Sequence, residues 1–358
     1  MMRKRLIIWG YFIKNLGDDL MLSSFLNSND TYEDIYIITK KQYVNYYKGL
    51  GVNTITSDSL VYKILNIILY GFHLHSPYFY LPKFFNADFM ILGGSLFIES
   101  SRRYSIYQIR NLKYAVTKSS RSYVIGSNFG PYSTDEFYQN YKDIFSMCDD
   151  VCFRDDYSYQ LFSSLNTTRY APDIVLSGMW EKKNSYRKEE AYVVISVINL
   201  ENRDNLKGKT AEFERKLKEI SDYHTSNGER VILASFCKQE GDLVACERIK
   251  SNCKDQDLVT ILNYENFDML NIIKNAKILY GARFHSIILA IYYNIPCLPF
   301  VYSKKTLNAL KSYTNNFSHV NLLDIENTSS DIIIKSVNKI SVSDSVLEDS
   351  FNQLKGIK

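Results

Sequence analysis

The hexapeptide GARFHS, residues 281–286, follows the apolar run KILY and opens the apolar run IILAIYYN. A strand entering a helix through that turn puts Arg283, His285 and Ser286 in the first helical turn, where free N–H groups and the positive dipole end favour an anion. A guanidinium can grip a carboxylate or phosphate with two prongs, and an imidazole can exchange a proton. Taken alone, the pair reads equally as a helix cap and a surface ion pair. VYSKKT places Lys304 and Lys305 after the next apolar run, where a lysine doublet is otherwise a solvated face. VCFRDDYSY places Arg154 directly after an earlier run, with Asp155 and Asp156 as alternative partners. Arg154, Arg283, His285 and Lys305 together would make one cationic pocket.

Other turns complement this set. NLGDDLM (15–21) brings Asn15 and Gly17 up to two adjacent carboxylates, Asp18 and Asp19, at the start of a helix. Two carboxylates repel a phosphate, so the turn suits sugar hydroxyls or plain capping. ILGGSLFIES (91–100) and VIGSNFGPYS (124–133) are glycine-containing turns in which Gly94 permits close backbone approach and Ser95 and Asn128 can bond hydroxyls. Neither fits GxGxxG or GxxxxGK[ST], so a dinucleotide or P-loop site has little support.

The elements that must carry these turns alternate. RLIIW, DIYIIT, DFMILGG, SYVIGSN and DVCFRD are strand-like runs separated by helical patterns, and a second series runs YVVISVI, RVILASF, LVTILNY, KILYGA and CLPFVY. That rhythm predicts an α/β fold of two doubly wound, Rossmann-like domains facing a cleft, with ligands beyond the carboxyl ends of the strands. The expected division is residues 1–178, a polar linker in SGMWEKKNSYRKEE, residues 190–328, and C-terminal helices over 329–358 that pack on a domain.

Composition narrows the classes. Among 358 residues, 43 basic side chains nearly balance 39 acidic ones, which gives no polyanion surface and no expectation of a nucleic-acid partner. The six cysteines form no CxxC pair and have no histidines at ligand spacing, so neither a metal site nor a disulfide framework is expected and a cytoplasmic setting is simplest. The N-terminal MMRKRLIIWGYFIKN reads as a first strand rather than a signal peptide. The greasy stretch 59–85 is broken by Lys63, Asn66, His73, His75 and Pro77; it reads as a buried helix and loop, or as a helix in peripheral contact with a membrane.

Taken together, NLGDDLM, LGGSLF, VIGSNFGPY, FRDDYSY, APDIV, EGD, GARFHS and PFVYSKK resemble, in order and spacing, the polysaccharide pyruvyl transferase family over about residues 5–310. The resemblance implies the GT-B-like arrangement of two Rossmann-like domains, the first on the acceptor side and the second on the donor side. It implies transfer of pyruvate from phosphoenolpyruvate to two hydroxyls of a sugar, as a ketal, during synthesis of a bacterial capsule or exopolysaccharide. Phosphoenolpyruvate is then a co-substrate, with no cofactor. The acceptor is a lipid-linked oligosaccharide or polysaccharide repeat unit, and the setting is the cytoplasm or the inner face of its membrane. By the same resemblance Arg154, Arg283 and Lys305, with Lys304 and Ser286, bind the donor; His285 moves protons, and Asp18 or Asp19 assists a sugar hydroxyl. Lys304 stands where the family pattern leads one to expect a small or proline-like residue, so which lysine reaches the donor stays open. The rivals are a GT-B glycosyltransferase using a nucleotide sugar, for which only Glu265 and Asp268 stand near the expected acidic position, and a non-catalytic sugar-binding homologue.

Overall fold

Short apolar runs bounded by glycine and polar residues become strands buried on both faces, as parallel sheets covered by helices on either side require. The computed structural model describes residues 4–181, 191–201, 203, 206–266 and 268–357. The chain divides into two units, Met1–Ile13 with Asp18–Trp180 and Leu347–Lys358, and Lys14–Gly17 with Glu181–Val346.

In the first unit β1 (Arg5–Phe12), β2 (Asp34–Thr39), β3 (Asn53–Thr56), β4 (Asp88–Leu92), β5 (Ser122–Ser127), β6 (Asp150–Phe153) and β7 (Thr168–Tyr170) form a seven-stranded sheet in the order β3-β2-β1-β4-β5-β6-β7. Every adjacent pair is parallel. The connecting helices are α1 (Leu16–Ser28), α2 (Val44–Gly49), α3 (Leu60–Gly71), α4 (Arg102–Lys118), α5 (Asp135–Ser146) and α6 (Asp156–Phe162). The core gathers Ile7, Ile91, Val124 and Val151 from the sheet with Phe97, Phe129, Phe145 and Phe162. Strand order reverses between β1 and β4, which opens a crevice beyond their carboxyl ends.

The second unit repeats the plan. Strands β8 (Tyr192–Val197), β9 (Arg230–Ser235), β10 (Val259–Asn263), β11 (Ile278–Gly281), β12 (Cys297–Val301) and β13 (Val320–Asn321) lie in the order β10-β9-β8-β11-β12-β13. Its helices are α7 (Thr210–Ser226), α8 (Asp242–Asn252), α9 (Met269–Asn275), α10 (Phe284–Tyr292), α11 (Lys304–Tyr313) and α12 (Ser330–Lys335). Here the reversal falls between β8 and β11.

The expected C-terminal cap behaves differently. Residues 329–346 belong to the second unit, whereas Leu347–Lys358, including the end of α13 (Asp344–Asp349), belong to the first. The buried Gln353 side chain accepts from Gly126 N at 2.9 Å and donates to the Ala171 carbonyl at 2.5 Å, and so ties the end of β5 to the turn after β7. Of the expected linker, residues 182–190 lie outside the described residues. The expectation that 59–85 forms a buried helix also fails, since α3 buries none of its residues. No helix among the described residues is long and apolar enough to cross a membrane.

Candidate functional site

The second unit is built around Arg283, which caps α10 just beyond β11. The residue is buried, 8% exposed, and its guanidinium is turned inward: Nε donates to Asp242 Oδ2 at 2.9 Å, Nη2 to Asp242 Oδ1, and Nη1 to Glu240 Oε2 at 2.6 Å. Burial opposes its charge, but the two carboxylates outweigh burial and raise its pKa further. Glu240 also accepts from Arg203 at 3.0 Å, so two arginines and two carboxylates make a locally neutral quartet. The expected open fork for an anion is therefore absent; Arg283 instead fixes the turn after β9 against the turn after β11. Asp242 adds to this by accepting from Cys237 N at 3.0 Å.

Ser286 is likewise turned inward. Its buried hydroxyl lies 2.7 Å from Ser196 Oγ and 2.6 Å from the Arg283 carbonyl, and Ser196 Oγ accepts from the Ala282 and Arg283 amides at 3.0 and 3.1 Å. The expected contact between Ser286 and a donor gives way to this seal on the start of α10.

His285 is half-buried in the first turn of α10. Against it lies Gly17: a Cβ built there would come within 2.5 Å of the imidazole Cγ and 2.7 Å of Cε1, and closer still to Nδ1. The Gly17 amide donates to Asn15 Oδ1 at 3.1 Å, while the Leu16 amide donates to the Phe236 carbonyl at 3.3 Å. Asn15 thus supplies the entry turn of α1, and Asp18 and Asp19 follow in the helix's first turn. Lys304 is exposed and Lys305 half-buried in the first turn of α11, beyond β12, which pairs with β11 through Gly281 and Pro299. His285, Lys304 and Lys305 therefore share one edge of one sheet, at two neighbouring helix N-termini.

In the first unit the corresponding edge carries Asp18, the 93–95 turn and Arg154. Asp18 is half-buried, and its Oδ1 lies 3.3 Å from where a Gly93 Cβ would stand. Gly93 has φ +144, a value that favours glycine. Asp19 is buried and accepts from Tyr47 OH at 2.7 Å. Of the paired carboxylates, it is not the one open to a substrate. Arg154 is buried: Nε donates to Asn128 Oδ1 at 2.5 Å and Nη1 to Asp173 Oδ2 at 2.9 Å. Of the alternative partners, Asp155 feels the Arg154 charge while capping α6 through Ser158 N at 3.0 Å and accepting from the Asn128 amide group. Asn128 is thus a buried strut between Arg154 and Asp155. Gly94 is required because a Cβ there would stand 2.5 Å from Arg154 Nη1 and closer still to Nη2 and Cζ.

Beyond the carboxyl ends of β1 and β4 lies a cavity of about 460 Å³. Trp9, Tyr11, Tyr78 and Tyr104 give it aromatic walls, and Thr39, Ser95 and Gln108 supply hydrogen-bonding groups. Aromatic faces with scattered hydroxyl and amide groups suit a sugar. Among the described residues no group of three or more His, Cys, Asp or Glu side chains could hold a metal ion.

Sequence reasoning did not assign roles to Asp242, Glu240 and Asp173, although EGD (240–242) and APDIV (171–175) were in view. The signal available was that a buried arginine needs a carboxylate, and those motifs carry the acids.

A model of the family described as "Polysaccharide pyruvyl transferase" matches residues 15–304. The chain belongs to that family. A comparison with curated proteins finds no match. Among solved structures, UDP-GlcNAc 2-epimerase from Methanocaldococcus jannaschii, in complex with UDP-GlcNAc and UDP, is similar with TM-score 0.59 and 11% identity, over 98% of this chain and 99% of that one. UDP-N-acetylglucosamine 2-epimerase from Rickettsia bellii is similar with TM-score 0.56 and 13% identity, over 100% of this chain and 96% of that one. At such identities the likeness is one of fold: an α/β chain with two parallel sheets, as the alternating runs led one to expect.

Proposed function

We propose that this family member transfers pyruvate from phosphoenolpyruvate onto two hydroxyls of a sugar as a cyclic ketal. The observation that carries the reading is the packing of His285 against Gly17, because Asp18 is the next residue in the chain. His285 is thereby held at the turn that opens α1, and Asp18 follows that turn in the chain. Lys305 and Lys304, with the first-turn amides of α10 and α11, supply the positive potential for the donor's phosphate and carboxylate. Arg283 and Arg154 contribute by rigidity rather than net charge, since each is matched by carboxylate.

His285, protonated, gives its proton to the donor's methylene carbon, which becomes a methyl group. The adjacent carbon takes on positive charge, a sugar hydroxyl adds to it, and Asp18 receives that hydroxyl's proton. The carbon–oxygen bond to phosphate then breaks, inorganic phosphate leaves, and the second hydroxyl closes the ketal as its own proton departs. The sugar is proposed to occupy the aromatic cavity beyond β1 and β4.

The fold likeness to nucleotide-sugar enzymes supports a second reading, glycosyl transfer. Its acidic residues are otherwise engaged: Asp268 caps α9 through Asn271 N at 3.2 Å, and Glu265 Oε2 lies 4.0 Å from Lys238 Nζ. Incubation with an acceptor and either phosphoenolpyruvate or nucleotide sugars separates the two. Release of inorganic phosphate supports pyruvyl transfer; release of nucleotide overturns it.

A further inference from the structure

The helix α3, LVYKILNIILYG, is inside out. The face turned to the protein is polar and hydrogen-bonded: Tyr62 OH lies 2.5 Å from Ser76 Oγ, Asn66 Oδ1 accepts from Tyr107 OH at 2.6 Å and from Ser76 Oγ at 3.1 Å, and Tyr70 OH accepts from Arg103 Nε at 2.8 Å. The face turned to solvent is apolar. Leu60 is 73% exposed, Ile67 71% and Phe72 74%, with Val61, Ile64, Leu65 and Ile68 also exposed. A soluble surface helix has the opposite polarity, and a contiguous apolar patch of this kind marks an interaction face.

Charge identifies the occupant. No Asp or Glu occurs from Leu60 to Asn86 or within α4, whereas Lys63, Lys83, Arg102, Arg103, Arg110, Lys113 and Lys118 do. Arg102 and Lys113 reach Glu136 and Asp143 of α5 only at 3.8 and 3.9 Å. Arg110 has Nε and Nη2 buried without a hydrogen-bond partner, and its guanidinium sits 5.8 and 5.5 Å from the Tyr70 and Tyr107 rings. An apolar face beside a run in which cations outnumber carboxylates, with aromatic side chains among them, complements a lipid surface carrying anionic headgroups. A second copy docked face to face would bring the same cations together. At about 1.5 Å per residue the 12 residues of α3 fall far short of a bilayer's hydrocarbon core, so the helix lies on the surface.

We infer that α3 and the basic side of α4 form a docking face for an anionic lipid bilayer. Two of the residues around this face, Tyr62 and Tyr104, also line the cavity beyond β1 and β4.

Flotation with phosphatidylcholine vesicles, with and without phosphatidylglycerol, tests the inference without substrate, so its failure and that of the proposed reaction are read separately. The protein should float with the anionic vesicles and be released by salt. The variant L60S/I67S/F72S alters only exposed side chains; it should keep its thermal midpoint and lose binding at least about tenfold. K63Q/R103Q should lose about fivefold per charge on anionic vesicles alone. In an Ile67→Trp variant, indole emission should shift to the blue on anionic vesicles. No flotation of the wild-type chain, equal flotation of the triple variant, or a dimer that the triple variant abolishes without any vesicle binding would each overturn it.

Discussion

Substituting Gly17→Ala tests the contact that places an imidazole beside the start of α1. The added methyl would stand within 2.5 Å of His285 Cγ and 2.7 Å of Cε1, and its three nearest neighbours are all atoms of that ring. No L side chain tolerates such distances, so the ring or the α1 entry turn must move, at a cost of about 1–3 kcal/mol for forced repacking. Gly17 lies within α1 and has no positive φ, so alanine by itself should favour the helix by up to about 1 kcal/mol. The two effects separate in a double-mutant cycle measured by urea unfolding. Gly17→Ala should destabilise the wild-type chain, yet be neutral or stabilising in His285→Ala, which has no ring to meet. The coupling energy should then be about 1–3 kcal/mol. An equal change in midpoint in both backgrounds would show that Gly17 and His285 do not touch, and the placement of His285 at this turn would lose its basis.

Other perturbations address the remaining parts. Asp242→Asn leaves the buried Arg283 short of a counter-charge and should cost about 3–5 kcal/mol in urea unfolding; a change within error would mean the quartet is not formed. Gly94→Ala drives a methyl into the Arg154 guanidinium, so the melting temperature should fall by the equivalent of about 1–3 kcal/mol, and an unchanged melting curve would contradict that packing. Asp18→Asn should lower kcat by about 10²- to 10⁴-fold while Asp19→Asn leaves kcat close to wild type, because Asp19 is spent on Tyr47. The reverse ranking in steady-state kinetics would exchange their roles.

Much of the fold was legible because both sheets are built from short, continuous apolar runs, and a run such as DFMIL or YVVISV followed by a helical period has few other readings. The short edge strands β3, β7 and β13 were not, since NTIT, TRY and VN bury little and carry no periodicity. Residue types flagged the turns, but not which way each side chain faces. Arg283 and Arg154 were read as cations for a ligand, yet both balance carboxylates more than forty and nearly twenty positions away respectively, a pairing set by strand order. In the same way one of two adjacent aspartates faces a tyrosine on α2, which nothing in NLGDDLM reveals. The 59–85 stretch misled for a different reason: its apolar content pointed inward on the usual rule, and only the hydrogen bonds of Tyr62, Asn66 and Tyr70 show the polar face to be the inner one.

The central claim is that the donor is phosphoenolpyruvate and that the methyl carbon gains its proton from His285. It is tested most directly by incubating the purified protein with phosphoenolpyruvate and a lipid-linked sugar acceptor, following inorganic phosphate and the acceptor's mass together. The account predicts one phosphate released for each acceptor that gains the mass of one pyruvate ketal, and loss of both signals in His285→Ala. Acceptor modification that needs a nucleotide sugar instead, or undiminished ketal formation by His285→Ala, would contradict it.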